Sequence, residues 1–233
     1  MKIGFVLDDG LDSPDGVQQY ILTLGEWFVS KGHEVHYIVG QTKRTDIPNV
    51  HSLAHNVQVR FNQNRLAMPL TASARSIKQL LGSEKFDVLH VQMPYSPQYA
   101  GRVVLLAPES TVIVGTFHIL PYGGLQSMGA RFLAHVNRRT IKRFHAVISV
   151  SPAAKDFAHS TMHIDSTVIP NAVNLAKFNK GKRLAKYNDN VQTMVFLGRL
   201  VERKGCLELL TAVRMLVMSG KFEKRRLVIC GGG

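Results

Sequence analysis

Short apolar runs rich in valine and isoleucine recur along the chain, at residues 3–7, 35–39, 88–91, 112–117 and 146–150. Runs of this length with little polar alternation fit strands buried on both faces, as in a parallel sheet. Between most of them lie amphipathic stretches of helical length. Residues 17–30 carry Tyr20, Ile21, Leu24, Trp27 and Phe28 at helical spacing, and Gly32 follows as a C-terminal stop. Strand, helix and strand in repetition predict an open α/β sheet with helices on both faces.

Near residue 174 the pattern changes. Residues 174–190, NLAKFNKGKRLAKYNDN, are polar and basic and read as a linker or surface excursion. The alternation then restarts, with a strand at 193–197, a turn at 198–205, a helix at 206–218 and a strand at 226–230, before three terminal glycines. Two strands and one helix cannot cover a sheet on both faces. The expected organisation is a Rossmann-like first domain over 1–175, a basic linker over 176–192, and the incomplete start of a second Rossmann-like domain over 193–233.

Composition narrows the class. Hydrophobic residues make up 45% of the 233 and charged residues 19%, the balance of a core-forming chain. No run approaches the ~20 apolar residues that span a bilayer. The chain opens directly on the strand-like KIGFVLD, so no secretory leader is expected. Cys206 and Cys230 have neither metal-ligand nor redox-pair spacing, which fits a reducing cytoplasm. The formal net charge of +13 favours phosphates, nucleic acid or an acidic membrane surface as partners. Nucleic acid is set aside because no compact recognition signature is present and the charge is spread along the chain.

Several segments could carry chemistry. The loop 8–16 joins the first strand to the first helix, where open α/β sheets bind ligands and helix N-termini offer free N–H groups. There Gly16 either lets a ligand approach the backbone or simply makes the turn, and Gln18 and Gln19 either bond a polar ligand or stay solvated. His118 closes the apolar run TVIVGTFH, at the strand edge where ligands bind, and could contact a sugar hydroxyl. His90 ends DVLH in a similar place, but Val91 follows it and sets it towards the core. FLGRLVERKG, residues 196–205, puts Arg199 and Lys204 on a loop where two cations could hold a diphosphate; a solvated basic turn is the plainer reading. A predicted helix over 125–144 carries Arg131, His135, Arg138 and Lys142 on one face, and one over 71–81 carries Arg75 and Lys78. Beside an anionic bilayer such faces add ~1 kcal/mol per charge, although most basic faces are only solvated. There is no G-x-G-x-x-G, zinc, P-loop or nucleophile-elbow motif, so no tightly bound cofactor or metal is expected.

Six collinear stretches bear a family resemblance: DGVQQYILTLGEWFVSKGHEV (15–35), FDVLHVQMPYSP (86–97), IVGTFH (113–118), AVISVSPAAK (146–155), IPNAVNLAKF (169–178) and FLGRLVERKG (196–205). In order and separation they resemble the retaining family 4 glycosyltransferases of GT-B fold, and among these the bacterial phosphatidylinositol mannosyltransferases. The resemblance implies a hexosyltransferase, with mannose the first choice, using GDP-mannose or a UDP-sugar without a metal. The acceptor would be a lipid or glycan at the cytoplasmic membrane face.

It also implies roles. Gly16 would sit at the donor phosphate, with Arg199 and Lys204 neutralising the leaving diphosphate. Gln18, Gln19 and Arg65 would face the acceptor, and His118 would bind the sugar and orient the acceptor hydroxyl. Arg75, Lys78, Arg131, Arg138 and Lys142 would meet the membrane. The chain departs from the family pattern where Asp15 replaces a glycine, where Gln92 and Met93 replace His and Glu, and where Ala172 replaces a glycine. The family's acidic E-x7-E motif falls beyond Gly233, so the chain alone is expected not to catalyse transfer.

Overall fold

The computed structural model describes residues 1–13, 15–54, 56–61, 64–69, 72–93, 99–118, 137–182 and 184–232. They form two compact units, Met1–Asn174 and Leu175–Gly233.

The first unit holds a seven-stranded, wholly parallel sheet. Its strands are β1 (Lys2–Leu7), β2 (Glu34–Val39), β3 (Val50–Ser52), β6 (Val88–Gln92), β7 (Val112–Phe117), β8 (Ala146–Ser149) and β9 (Thr167–Val168). The order is β3-β2-β1-β6-β7-β8-β9. An antiparallel hairpin of β4 (Asn56–Phe61) and β5 (Asn64–Pro69) stands apart and places Arg65 opposite Arg60. Helices α1 (Gly16–Ser30), α2 (Ala74–Glu84), α3 (Tyr99–Leu106), α4 (Arg138–Ile141) and α5 (Pro152–Met162) complete the described part.

The two-residue period of the strands sorts the core into layers. In β1, Ile3, Phe5 and Leu7 pack with Tyr20 and Ile21 of α1 and with Val35, Tyr37 and Val39 of β2. Val6 turns the other way, into a cluster with Ile38, Leu89, Val91 and residues of α2 and α3 such as Ile77, Leu81 and Val103. Burial on both faces explains why these strands read as unbroken apolar runs. The helix predicted over 71–81 instead spans Ala74–Glu84 because the hydroxyl of Ser73 accepts from the Arg75 N–H at 3.2 Å and caps it there. Of the helix predicted over 125–144, the described residues form α4 and the turn after it; Arg131 lies outside them.

In the second unit, β10 (Gln192–Leu197) and β11 (Arg225–Cys230) pair in parallel, and α7 (Cys206–Met218) connects them. The strands pass so closely beyond their ends that a Cβ on Gly231 would overlap the Gly198 carbonyl. The basic segment before β10 contains α6 (Leu175–Asn179) and a 3-10 turn at Ala185–Tyr187. It is tied to β11, since Arg226 meets the Asp189 carboxylate at 2.7 Å and lies 4.9 Å from the Tyr187 ring centre. No α7 residue is buried, and Leu207, Met215 and Met218 are well exposed.

Candidate active site at the carboxyl ends of the central strands

Strand order reverses between β1 and β6, and in open α/β sheets ligands bind outside the carboxyl ends of the strands at such a point. Four of the side chains gathered there come from β6, from β7 and from just beyond the end of β7. Gln92 stands opposite Thr116 in the β6–β7 register, and His90 opposite Val114. His90 and Gln92 therefore share a face with Thr116 and His118. Each reaches the partner two residues further along the neighbouring strand. His90 Nε2 meets Thr116 Oγ1 at 2.7 Å, and Gln92 Oε1 meets His118 Nε2 at 2.7 Å.

The site is closely packed. Gln92 and Thr116 are fully buried, and His118 is half-buried at the rim. The Tyr20 ring of α1 and the His118 ring meet edge-on, with ring centres 5.0 Å apart and planes at 69°. Burial holds both imidazoles neutral, bringing His118 and His90 down to about 4, and the nearby His118 ring lowers His90 further. A histidine in this state is a hydrogen-bonding group at pH 7 rather than a cation.

The loop after β1 leaves the same carboxyl edge of the sheet. Asp8 is buried, and its carboxylate accepts the Ala100 N–H at 2.7 Å in the first turn of α3. A Cβ on Gly10 would collide with the Gln41 carbonyl, so this loop and the one after β2 can meet only through a glycine. Gln18 is buried, and its amide nitrogen donates to the Gly10 carbonyl at 3.2 Å and to Asp9 Oδ2 at 3.3 Å. It holds the loop together from inside. Gln19 is exposed, and so is Gly16, with nothing within 4 Å of where a Cβ would stand. Asp15, at the cap of α1, accepts from the Ser13 hydroxyl at 2.7 Å. Burial raises the Asp9 carboxyl above its usual range, against the stabilising Gly10 N–H.

The other expected residues belong to other elements. Arg199 and Lys204 sit in the second unit, on the stretch between β10 and α7, with Lys204 in a 3-10 turn. Arg75 and Lys78 are exposed on α2, as are Arg138 and Lys142 at α4. Sequence reasoning did not single out Tyr20, Thr116, Asp8 or Asp9 as site residues. The signal for Thr116 was the matched pair of polar residues two apart in HVQ and TFH, on strands otherwise apolar.

Among the described residues, His36, His51 and Glu84 have metal-ligating atoms within 4.8 Å of one another. Their geometry is that of a hydrogen-bonded chain. The two imidazoles lie 2° from coplanar, with His36 Nδ1 and His51 Nε2 2.8 Å apart, so one N–H points straight at the other ring's lone pair. Glu34 takes the far nitrogen of His36 at 2.8 Å, and the Lys2 ammonium already holds Glu84 at 2.9 Å.

The sequence profile described as Glycosyltransferase Family 4 matches residues 14–177. The phosphatidyl-myo-inositol mannosyltransferase of Mycolicibacterium smegmatis is 32% identical over 237 residues, covering 100% of this chain and 59% of that protein. The enzyme of the same name from Propionibacterium freudenreichii subsp. shermanii is 28% identical, covering 100% of this chain and 62% of that protein. This chain thus spans about three fifths of the length of these curated relatives. An alpha-glucosyltransferase solved with UDP and a mismatched 13-mer DNA superposes with a TM-score of 0.61 at 18% identity, over 100% of this chain and 56% of that one. That likeness concerns the fold, which is GT-B as the sequence motifs implied. With the profile covering most of the chain and its first unit folded as a Rossmann-like sheet, the chain belongs to glycosyltransferase family 4.

Proposed function

We infer that the chain is the acceptor-side part of a retaining mannosyltransferase that moves mannose from GDP-mannose to phosphatidylinositol at the cytoplasmic face of the membrane. The observation that carries this reading is the similarity to phosphatidyl-myo-inositol mannosyltransferases along the whole chain. The site is compatible with it. A neutral imidazole at the rim can bond a sugar or acceptor hydroxyl, and the open backbone at Gly16 leaves room for a phosphate. Arg199 and Lys204 are proposed to stabilise the departing diphosphate, which takes up the acceptor proton. Exposed Arg75, Lys78, Arg138 and Lys142, with Arg131, are proposed to meet anionic lipid, and Gln19 and Arg65 to face the acceptor. Gln18 acts through the loop that its amide holds.

A second reading is a binding half for anionic lipid or phosphosugar that needs a separate partner for catalysis. The exposed apolar residues of α7 favour keeping it, because no described helix covers them. One assay separates the two. The chain, alone and joined to a complete donor-binding domain, is incubated with labelled GDP-mannose and phosphatidylinositol vesicles. Transfer by the joined protein alone is expected, with salt-sensitive sedimentation on anionic but not neutral vesicles. Sedimentation without transfer by either form selects the binding half. Transfer of glucose from UDP-glucose in preference to mannose overturns the choice of donor.

A further inference from the structure

Gln92 ends β6 with its whole side chain inside the protein. A carboxamide has a donor end and an acceptor end, and the neighbours decide which faces which way. Its Nε2 donates to the carbonyl of His90, two residues back on the same strand, at 3.2 Å. Turning the amide over would set two oxygens against each other and leave a buried N–H facing His118. The acceptor end, Oε1, therefore faces His118 Nε2, 2.7 Å away. An amide oxygen can only accept, so the hydrogen of that bond belongs to His118.

A neutral imidazole carries one N–H. With it committed at Nε2, Nδ1 is left with a bare lone pair, and it has no hydrogen-bond partner among the described residues. The edge of Tyr20 against the ring limits its rotation. We propose that Gln92 is a positioning residue that locks His118 in the Nε2–H tautomer and so presents Nδ1 as a hydrogen-bond acceptor to a substrate hydroxyl.

The chemistry follows from the tautomer. Nδ1 can receive the O–H of a sugar or of the attacking acceptor and fix the direction of the oxygen's lone pairs. A proton-loaded ring could not, because both its nitrogens donate. At neutral pH so weak a base orients the hydroxyl without removing its proton, which stays with the oxygen until a phosphate oxygen takes it. This inference rests on the proposed transferase reading for its purpose, though not for its geometry.

The test is long-range proton–nitrogen NMR of the full chain with 15N-labelled histidine, the His118 signal being assigned by its absence in His118→Gln. At pH 7 wild-type His118 is expected as a single species with Nε2 protonated and Nδ1 bare. In Gln92→Leu, with no acceptor on Nε2, the two tautomers should mix. In Gln92→Glu the carboxylate should stabilise the imidazolium and raise the midpoint of His118 by a unit or more, roughly. In a form joined to a complete donor-binding domain, Gln92→Leu should lower kcat on the order of tenfold while KM for the nucleotide sugar moves little. A wild-type His118 protonated at Nδ1, or already mixed, overturns the proposal without any variant having to fold. So does a pure Nε2–H tautomer that survives in Gln92→Leu. The spectrum reads the tautomer whether or not transfer occurs, so a failed transfer assay counts against the functional reading alone.

Discussion

At His118 burial and hydrogen bonding act on the same group. Desolvation removes its charge, and a single acceptor on Nε2 then decides which nitrogen keeps the hydrogen. Truncation to alanine removes the ring from the rim and strands the Gln92 oxygen, an unsatisfied buried acceptor that costs roughly 1–3 kcal/mol. That leaves the fold in place, because Phe117 and Thr116 beside it stay fully buried. In the complete enzyme His118→Ala is therefore expected to lower kcat/KM by about 10²-fold with an unchanged circular dichroism spectrum. Turnover within twofold of wild type would remove His118 from the mechanism. The residue itself was legible, since a histidine closing an apolar strand stands where α/β sheets bind ligands. Its partners were not. The Gln92 contact depends on the β6–β7 register, and a single sequence carries no information on which residues face each other across two strands.

Among the elements, α1 and β2 show how closely the layers meet. A Cβ on Gly25 would press into the hydroxyl of Tyr37, and that ring has little room to yield because it stacks on Phe5 at 5.9 Å and is almost wholly buried. Overpacking of this kind costs about 1–3 kcal/mol, whereas alanine gains about 1 kcal/mol over glycine in a helix interior. The clash prevails, so Gly25→Ala should lower the urea midpoint without changing the slope. Gly82 on α2 is exposed with nothing within 4 Å of a Cβ, and Gly82→Ala should raise the midpoint by the helix term alone. Opposite signs from two glycines in two helices would place the difference in the packing; equal signs would remove the Tyr37 contact as its cause. The long strands were legible because burial on both faces leaves an unbroken apolar run. The short ones were not: β9 has two residues and β3 three, too few for any period to emerge. Helix α3 escaped because valine and leucine surround it and leave no polar face.

For the whole molecule, the buried histidines predict how stability responds to acid. His118 and His90 are held down to about 4, and His51 is lowered by burial and by the neighbouring His36. In the unfolded chain each returns to an ordinary value of about 6.5. Between those limits the unfolded state binds more protons than the folded one, so unfolding free energy rises with pH across the window and falls as the solution is acidified. Asp9, whose carboxyl is raised by burial, acts in the opposite sense over the lower part of the window, but it is one group against three. Glu34, Glu84 and Asp46 are lowered chiefly by the hydrogen bonds they accept from His36, Lys2 and Arg44 respectively, and add their own loss of stability only at still lower pH. The first unit should therefore lose roughly a few kcal/mol between pH 6.5 and pH 4.5. Trp27, the only tryptophan, lies on α1 and reports that unit by fluorescence during urea unfolding. A midpoint that falls steadily with acid, and falls less in His90→Gln, is the expected outcome. A flat midpoint would mean that these rings take up protons without leaving the fold, and the neutral His118 on which both the acceptor role and the Gln92 lock depend would have to be abandoned.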